Sequence, residues 1–400
     1  MRYDAEGLSV HRVAAARNGH TMLESQLVRL RNGALFCTWT TGHHYEPHVN
    51  TCTMCARSYD DGRSWVEERI LFQHPYKGVY LPTLYQDGNG DLYAFLCTYC
   101  HRQSRDVGRY YQSQVSRADP DALHWSIPRR FGGAAEGLAV KQAFRHNGTL
   151  YLAASYFEQT NDKWADPDLD WDKPCIVDGR EFTRSEFDSL GYGQRLAVSM
   201  FCAEENAEAV RRVGNRLEHP PNAFGFAEPA VVELSDGSFL MFLRTEEPHI
   251  YCSRSRDLCR WTPPEIFPGL PSPAKGAKVR MIKDRQGRIY LFLKDGPDRF
   301  APLCCWISDD DLKSFSRKVE LCRDDTPCNI SYPCVFLDEE AQRLHMSFDN
   351  HVSEVYFGTI SLHDLLGSAR RDGGGCCLFA NPGKGDIVGK NNRNAGRHCR

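Results

Sequence analysis

The chain has 400 residues, of which 41% are hydrophobic and 25% charged, with a formal net charge of −3. That is enough for a large core and is ordinary for a soluble globular protein. The charge balance gives no reason to expect nucleic acid or an anionic membrane as a partner. The longest apolar runs are strand-sized, so no transmembrane helix is expected. The first twenty residues, MRYDAEGLSVHRVAAARNGH, lack the apolar core of a signal peptide, which points to the cytoplasm. The sequence leaves the oligomeric state open.

Taken in chain order, the elements are nearly all strands, and helical periodicity is almost absent. A first strand, LSVHRVAAA, precedes a series of hairpins: LVRLRNGALFCTW, TLYQDGNGDLYAFLCTY, KQAFRHNGTLYLAASY, VVELSDGSFLMFLRT, VRMIKDRQGRIYLFLK and VFLDEEAQRLHMSF. Each is an apolar run, a short polar or glycine turn and a second apolar run. The first apolar residues after the turns are Leu35, Leu92, Leu150, Phe239, Ile289 and Leu344, at intervals of 57, 58, 89, 50 and 55. An insertion rich in Asp, Trp and Pro, near 158–192, accounts for the long interval. A repeat of this size built from short strands predicts an all-β fold, a six-bladed β-propeller; a β-sandwich or two all-β domains fit the regular spacing less well. The strand LSVHRVAAA is expected to complete the last blade and so close the ring. The propeller is expected to occupy residues 1–366, with 367–400, rich in Gly, Asn and Arg, as a loose extension.

Seventeen cysteines are many. They read best as reduced, buried thiols acting as small hydrophobes. Cys52 with Cys55 and Cys97 with Cys100 have CxxC spacing, but both pairs lie in strand-like text. Residues i and i+3 of a strand point to opposite faces, so neither pair is expected to hold a metal.

The stretch SYDDGRSW, residues 58–65, follows the first hairpin. It fits the pattern S-x-D-x-G-x-[ST]-W, in which the Asp accepts turn amides and Gly62 permits a positive φ. Degraded copies occur at 116–125 (SRADPDALHW), 255–261 (SRDLCRW) and 308–315 (SDDDLKSF), each after its own hairpin. With these motifs in register, residues 10–365 resemble the sialidase superfamily of Asp-box (BNR-repeat) six-bladed propellers. The resemblance implies a carbohydrate-active fold, with the Asp-boxes at the periphery and the chemistry elsewhere.

In an antiparallel hairpin the start of the first strand lies beside the end of the second. Counting eleven residues back from each anchor gives Glu24, Leu81, Ala139, Glu228, Lys278 and, one residue off register, Tyr332. Counting five forward gives Thr40, Cys97, Ser155, Arg244, Lys294 and Asp349. These positions are expected to ring one end of the axis, with charge in blades 1, 4, 5 and 6 and little in blades 2 and 3. Rim salt bridges would produce the same pattern without function.

The resemblance gives several of these residues roles. Glu228 and Arg244 have the spacing of the family's Glu and carboxylate-binding Arg, and Tyr332 resembles its nucleophile. Glu228 would then be the base, because a phenol of ordinary pKa near 10 needs a partner to attack at neutral pH. Arg299 resembles a further carboxylate-binding arginine. Lys278, Glu24, His44 and Asp349 complete the expected substrate contacts. Two positions depart from the family. Glu24 stands where the first arginine is expected, and no Asp lies between Thr40 and Tyr59 to serve as general acid. The loop there offers His43, His44, Glu46 and His48, of which His48 and Glu46 are candidate acid–base residues.

Three functions follow as expectations. The first is a sialidase-like exo-glycoside hydrolase acting on a terminal acidic sugar, with no cofactor. The second is a lyase or atypical glycosidase on uronate- or rhamnose-containing glycans, using Tyr332 and His48 with Arg244, Arg299 and Lys278. The third is a glycan-binding propeller without catalysis.

Overall fold

The computed structural model describes residues 2–3, 5–16, 21–42, 50–75, 77–99, 111–130, 138–158, 175–177, 180–182, 195–204, 207, 209–218, 225–245, 247–270, 276–296, 302–323, 330–350 and 353–367. Six antiparallel sheets form the blades of a propeller. Blade 1 runs Thr21–Arg29, Leu35–Gly42, Cys52–Ser58 and Val66–Phe72; blades 2 to 5 repeat that order. Blade 6 takes three strands from the end of the chain and its outermost, Ser9–Ala15, from the beginning. The ring is thereby closed between chain ends, as the first strand of the sequence suggested, and the edge of Glu354–Ser361 is covered. A further short strand, Arg2–Tyr3, adds to the outside of blade 5.

The first strand of each blade is the innermost: it lies against the first strands of both neighbouring blades. The hairpins that carry these strands share one turn in four of the blades. Residues 30–34, 87–91, 234–238 and 284–288 each close with an amide-to-carbonyl bond from the first residue to the fifth. The fourth residue is Gly33, Gly90, Gly237 or Gly287, with φ between 77° and 87°, conformations open to glycine at little cost. Blade 3 turns in two residues instead, Asn147 and Gly148, both at positive φ, as the tightest hairpins require.

The gaps between blades are filled by apolar side chains. Leu27, Trp39, Cys334 and Phe357 join blades 6 and 1; Phe95, Leu152 and Phe201 join blades 2 and 3; Phe242, Phe267 and Leu291 join blades 4 and 5. Burial of such side chains stabilises by about 1.5–3 kcal/mol each. Cysteines serve the same purpose: Cys37, Cys55, Cys304, Cys305 and Cys334 are buried thiols in strands.

The peripheral motif behaves as its sequence implies. Asp60 accepts the Ser64 amide (2.9 Å) and hydroxyl (2.6 Å), Ser58 Oγ accepts the Gly62 amide (2.8 Å), and Trp65 donates to the Gly62 carbonyl (3.1 Å). The degraded copy in blade 5 keeps the serine and aspartate bonds, though Phe315 cannot replace the Trp65 bond: Asp310 accepts Ser314 twice, and Ser308 Oγ accepts the Leu312 amide. Leu312 takes the place of Gly62 at φ 63°. In blades 2 and 4, Trp125 and Trp261 still donate to the carbonyls of Ala122 and Leu258.

The region 158–192 lies mostly outside the described residues; within it Cys175–Val177 pairs with Arg180–Phe182. Met1–Leu366 forms one compact unit, ending in the short helix Leu362–Leu366, and residues 368–400 lie outside the described residues. Among the described residues, no helix is long and apolar enough to cross a membrane.

Candidate active site

Every first strand but that of blade 5 shows a register break near its start, at 23/26, 80/83, 140/142, 227/230 and 331/334. Each break is a β-bulge, which re-aims a side chain and is common beside active sites. Three of the bulged residues sit in the left-handed region: Glu24 at φ 55°, Glu228 at φ 46° and Tyr332 at φ 55°. For side chains other than glycine this costs on the order of 1 kcal/mol or more, and it persists only where the surroundings enforce it. The same local distortion therefore presents the two glutamates and the tyrosine from blades 1, 4 and 6.

Between them stands a residue that sequence counting missed. Lys141 of blade 3 donates from Nζ to Glu24 Oε1 at 2.7 Å and lies 3.1 Å from Glu228 Oε1. Blade 3 is thus not short of charge, and the expectation that it was is corrected. Counting eleven back from Leu150 assumed the five-residue turn. Blade 3 turns in two, and its bulge falls at Lys141 rather than at Ala139. A lysine at the bulge of a short Asn-Gly hairpin was the only available signal.

Arg244, at the end of blade 4's second strand, donates to Glu228 Oε2 at 2.5 Å. Lys278 Nζ lies 3.9 Å from Glu228 Oε1, 4.0 Å from Glu24 Oε1 and 4.6 Å from the centre of the Tyr332 ring. The cluster is largely dry: Glu24 is 4% exposed, Glu228 5%, Lys141 8% and the Lys278 side chain 11%. Blade-to-blade hydrogen bonds hold the bulges in place. Ser155 Oγ accepts the Glu228 amide at 3.0 Å, Gln142 accepts the Val231 amide at 2.7 Å, and Thr83 donates to the Val140 carbonyl at 2.6 Å.

Burial alone would push the Glu228 carboxyl up. Arg244, Lys141 and Lys278 outweigh it and hold Glu228 well below the usual carboxylate range. Burial opposes the charge on Lys141, but Glu24 and Glu228 overcome it and raise its pKa. Lys278 differs. Burial lowers its pKa, and the two carboxylates, farther away, only partly offset this. Cys97, at the end of blade 2's second strand, is pushed up to about 12 by burial, with Lys141 opposing and Glu24 adding to the effect. It is a buried thiol facing the cluster rather than a nucleophile.

Of the residues singled out in the sequence, Glu24, Glu228, Lys278, Tyr332 and Arg244 come together in one charged cluster. Asp349 is buried, on the second strand of blade 6 opposite Ser331, which precedes Tyr332. Arg299, His43, His44, Glu46 and His48 lie outside the described residues. Among the described residues, no group of His, Cys, Asp and Glu side chains is arranged to hold a metal ion.

A family of known proteins matches this chain in sequence: the BNR repeat-like domain, over residues 33–346. The chain belongs to the BNR repeat-like domain family. No curated protein sequence matches it. Solved structures share its fold at low identity. A Trypanosoma rangeli sialidase in complex with the inhibitor DANA is 14% identical, with a TM-score of 0.65, over 90% of this chain and 61% of its own. The Hadza microbial sialidase Hz136 is 15% identical, with a TM-score of 0.61, over 86% of this chain and 66% of its own. A Dyadobacter fermentans protein of unknown function is 13% identical, with a TM-score of 0.63, over 88% of this chain and 99% of its own. This BNR-repeat chain therefore has the six-bladed propeller fold of sialidases, and it spans less than two thirds of the T. rangeli chain and about that share of Hz136.

Proposed function

We propose that this protein is a glycoside hydrolase acting at a terminal acidic sugar of a glycan, with Tyr332 as nucleophile. One observation carries the reading: Tyr332, Glu228 and Glu24 are raised on equivalent left-handed bulges around Lys141, Lys278 and Arg244. A rim of ordinary salt bridges needs no backbone outliers, whereas a site that must present side chains toward an axis does. The cations supply positive potential for a sugar carboxylate. A neutral phenol can approach such a sugar without the repulsion a carboxylate nucleophile would meet. The solved T. rangeli sialidase with sialic acid supports a glycan ligand for the fold.

In the proposed reaction, Tyr332 Oη attacks the anomeric carbon and the glycosidic C–O bond breaks. The phenol proton passes to Glu228, and the leaving oxygen takes a proton from the 43–48 loop, where His48 and Glu46 are the candidates. Water then attacks the anomeric carbon of the resulting aryl glycoside, giving its proton to the group that protonated the leaving oxygen; the C–O bond to Tyr332 breaks, and the phenolate takes its proton back from Glu228. The test is turnover of a panel of aryl sialosides and related keto-acid glycosides by the protein and by Tyr332→Phe. Turnover is expected, with the variant reduced about 10³-fold or more. A folded protein that turns over none of the panel contradicts the reading.

The replacement of a guanidinium by the Glu24–Lys141 pair favours a second reading, elimination on a uronate-containing glycan, in which Lys141 and Lys278 neutralise the uronate carboxylate. Appearance of an unsaturated product, seen by its ultraviolet absorbance, would select it over hydrolysis.

A further inference from the structure

Among the described residues, Lys278 is the cation of the cluster that stands farthest from the carboxylates. Lys141 touches Glu24 and lies 3.1 Å from Glu228, and Arg244 lies 2.5 Å from Glu228. Lys278 Nζ is 3.9 and 4.0 Å from those carboxylates, beyond hydrogen-bond length, and 4.6 Å from the centre of the Tyr332 ring. It sits over the face of the ring, so it does not accept the hydroxyl proton, which lies at the ring edge. A cation over an aromatic face is attracted by the ring, and far more strongly once the phenol has become an anion whose charge spreads into the ring. Glu228, meanwhile, is held ionised by three cations, which makes it a weak base.

We propose that Lys278 is the electrostatic partner that stabilises the Tyr332 phenolate, so that Glu228 receives the proton while Lys278 holds the charge left behind. The proposal rests on the reading of Tyr332 as nucleophile, but its test needs no turnover. The charged groups around the pair are Glu24 of blade 1, Lys141 of blade 3, Glu228 and Arg244 of blade 4, and Arg280 beside Lys278 in blade 5. Asp349 stands on the strand next to Tyr332. Glu24, Glu228 and Asp349 oppose phenolate formation, and the cations favour it, with Lys278 nearest the ring among the contacts described.

The experiment places 3-fluorotyrosine at position 332 of the full chain and follows its fluorine resonance with pH, in the otherwise unchanged protein and in Lys278→Met, Lys278→Arg and Glu228→Gln. An opposite charge at this range moves a pKa by about 1–3 units. Lys278→Met is expected to raise the midpoint by about 1 unit or more, and Lys278→Arg to leave it within a few tenths of the parent. Glu228→Gln, which removes a negative charge, is expected to lower it. An unchanged or lowered midpoint in Lys278→Met overturns the proposal. So does a rise of equal size in Lys278→Arg or in Glu228→Gln, because the site rather than the ammonium would then be responsible. If no glycoside is turned over yet the midpoints move as expected, the electrostatic pairing stands and the hydrolase reading fails.

Discussion

Glu24 stands where the family resemblance leads to the expectation of an arginine, and its neighbours explain how a carboxylate is accommodated there. Lys141 Nζ, 2.7 Å from Glu24 and 3.1 Å from Glu228, bridges two buried acids that would otherwise repel. Removing one partner of a buried pair leaves an uncompensated charge, at a cost of about 3–5 kcal/mol. Lys141→Met is therefore expected to destabilise the protein by about that amount in chemical denaturation. With Glu24→Gln added, the loss should be smaller than the sum of the single losses by on the order of 1–3 kcal/mol; additive losses would mean that the two side chains do not depend on each other. Glu24, Glu228 and Tyr332 were legible in the sequence because the anchors Leu35, Phe239 and Leu344 follow nearly the same hairpin. Lys141 was not, because the short Asn147–Gly148 turn and the bulge displaced it by two positions from the count. The left-handed backbone was not legible either. Pro229 and Pro333 follow Glu228 and Tyr332, and a residue before proline is ordinarily extended.

At the scale of the element, the Asp-box turn is a self-contained device and also a joint. Its bonds are local, from Ser58 to Ser64, yet a Cβ on Gly62 would lie 2.1 Å from the Phe357 ring of blade 6. With φ at +84° as well, Gly62→Ala meets both backbone strain and overpacking. A loss of about 1–3 kcal/mol is expected, read as a lowered melting temperature with the strand signal in circular dichroism retained. A neutral result would show that Phe357 can move aside. Leu312 tolerates the left-handed conformation in blade 5, so the glycine pattern alone understates how many of these turns the chain forms. Ser308, Asp310 and Ser314 are the residues that carry the turn, and they were visible in the degraded copy.

For the molecule as a whole, the closure within blade 6 decides integrity, since it pairs the two ends of the chain. His345 is buried in that joint between Phe336 and Phe357, with Arg29 of blade 1 at 3.4 Å. Burial, then Arg29, lowers its pKa from 6.5 to about 4. The folded protein thus refuses a proton that the unfolded chain accepts. The stabilisation is complete above pH 6.5 and is lost as pH falls toward 4, by on the order of 3 kcal/mol. Denaturation at pH 7 and pH 4.5 should show this slope in the parent protein and a flatter one in His345→Phe; equal slopes would assign the acid sensitivity elsewhere. The ring itself was legible because six hairpins and four Asp-box turns recur in step. The insertion near 158–192 only stretched one interval.

Attack of Tyr332 on an anomeric carbon can be checked by trapping the intermediate. The protein is incubated with a difluorinated acidic sugar bearing a good leaving group, and the intact mass and its peptides are then measured. One added glycosyl group is expected, located on Tyr332 and absent from Tyr332→Phe. Turnover of the matching aryl glycoside without any adduct, or an adduct on another residue, would contradict attack by Tyr332.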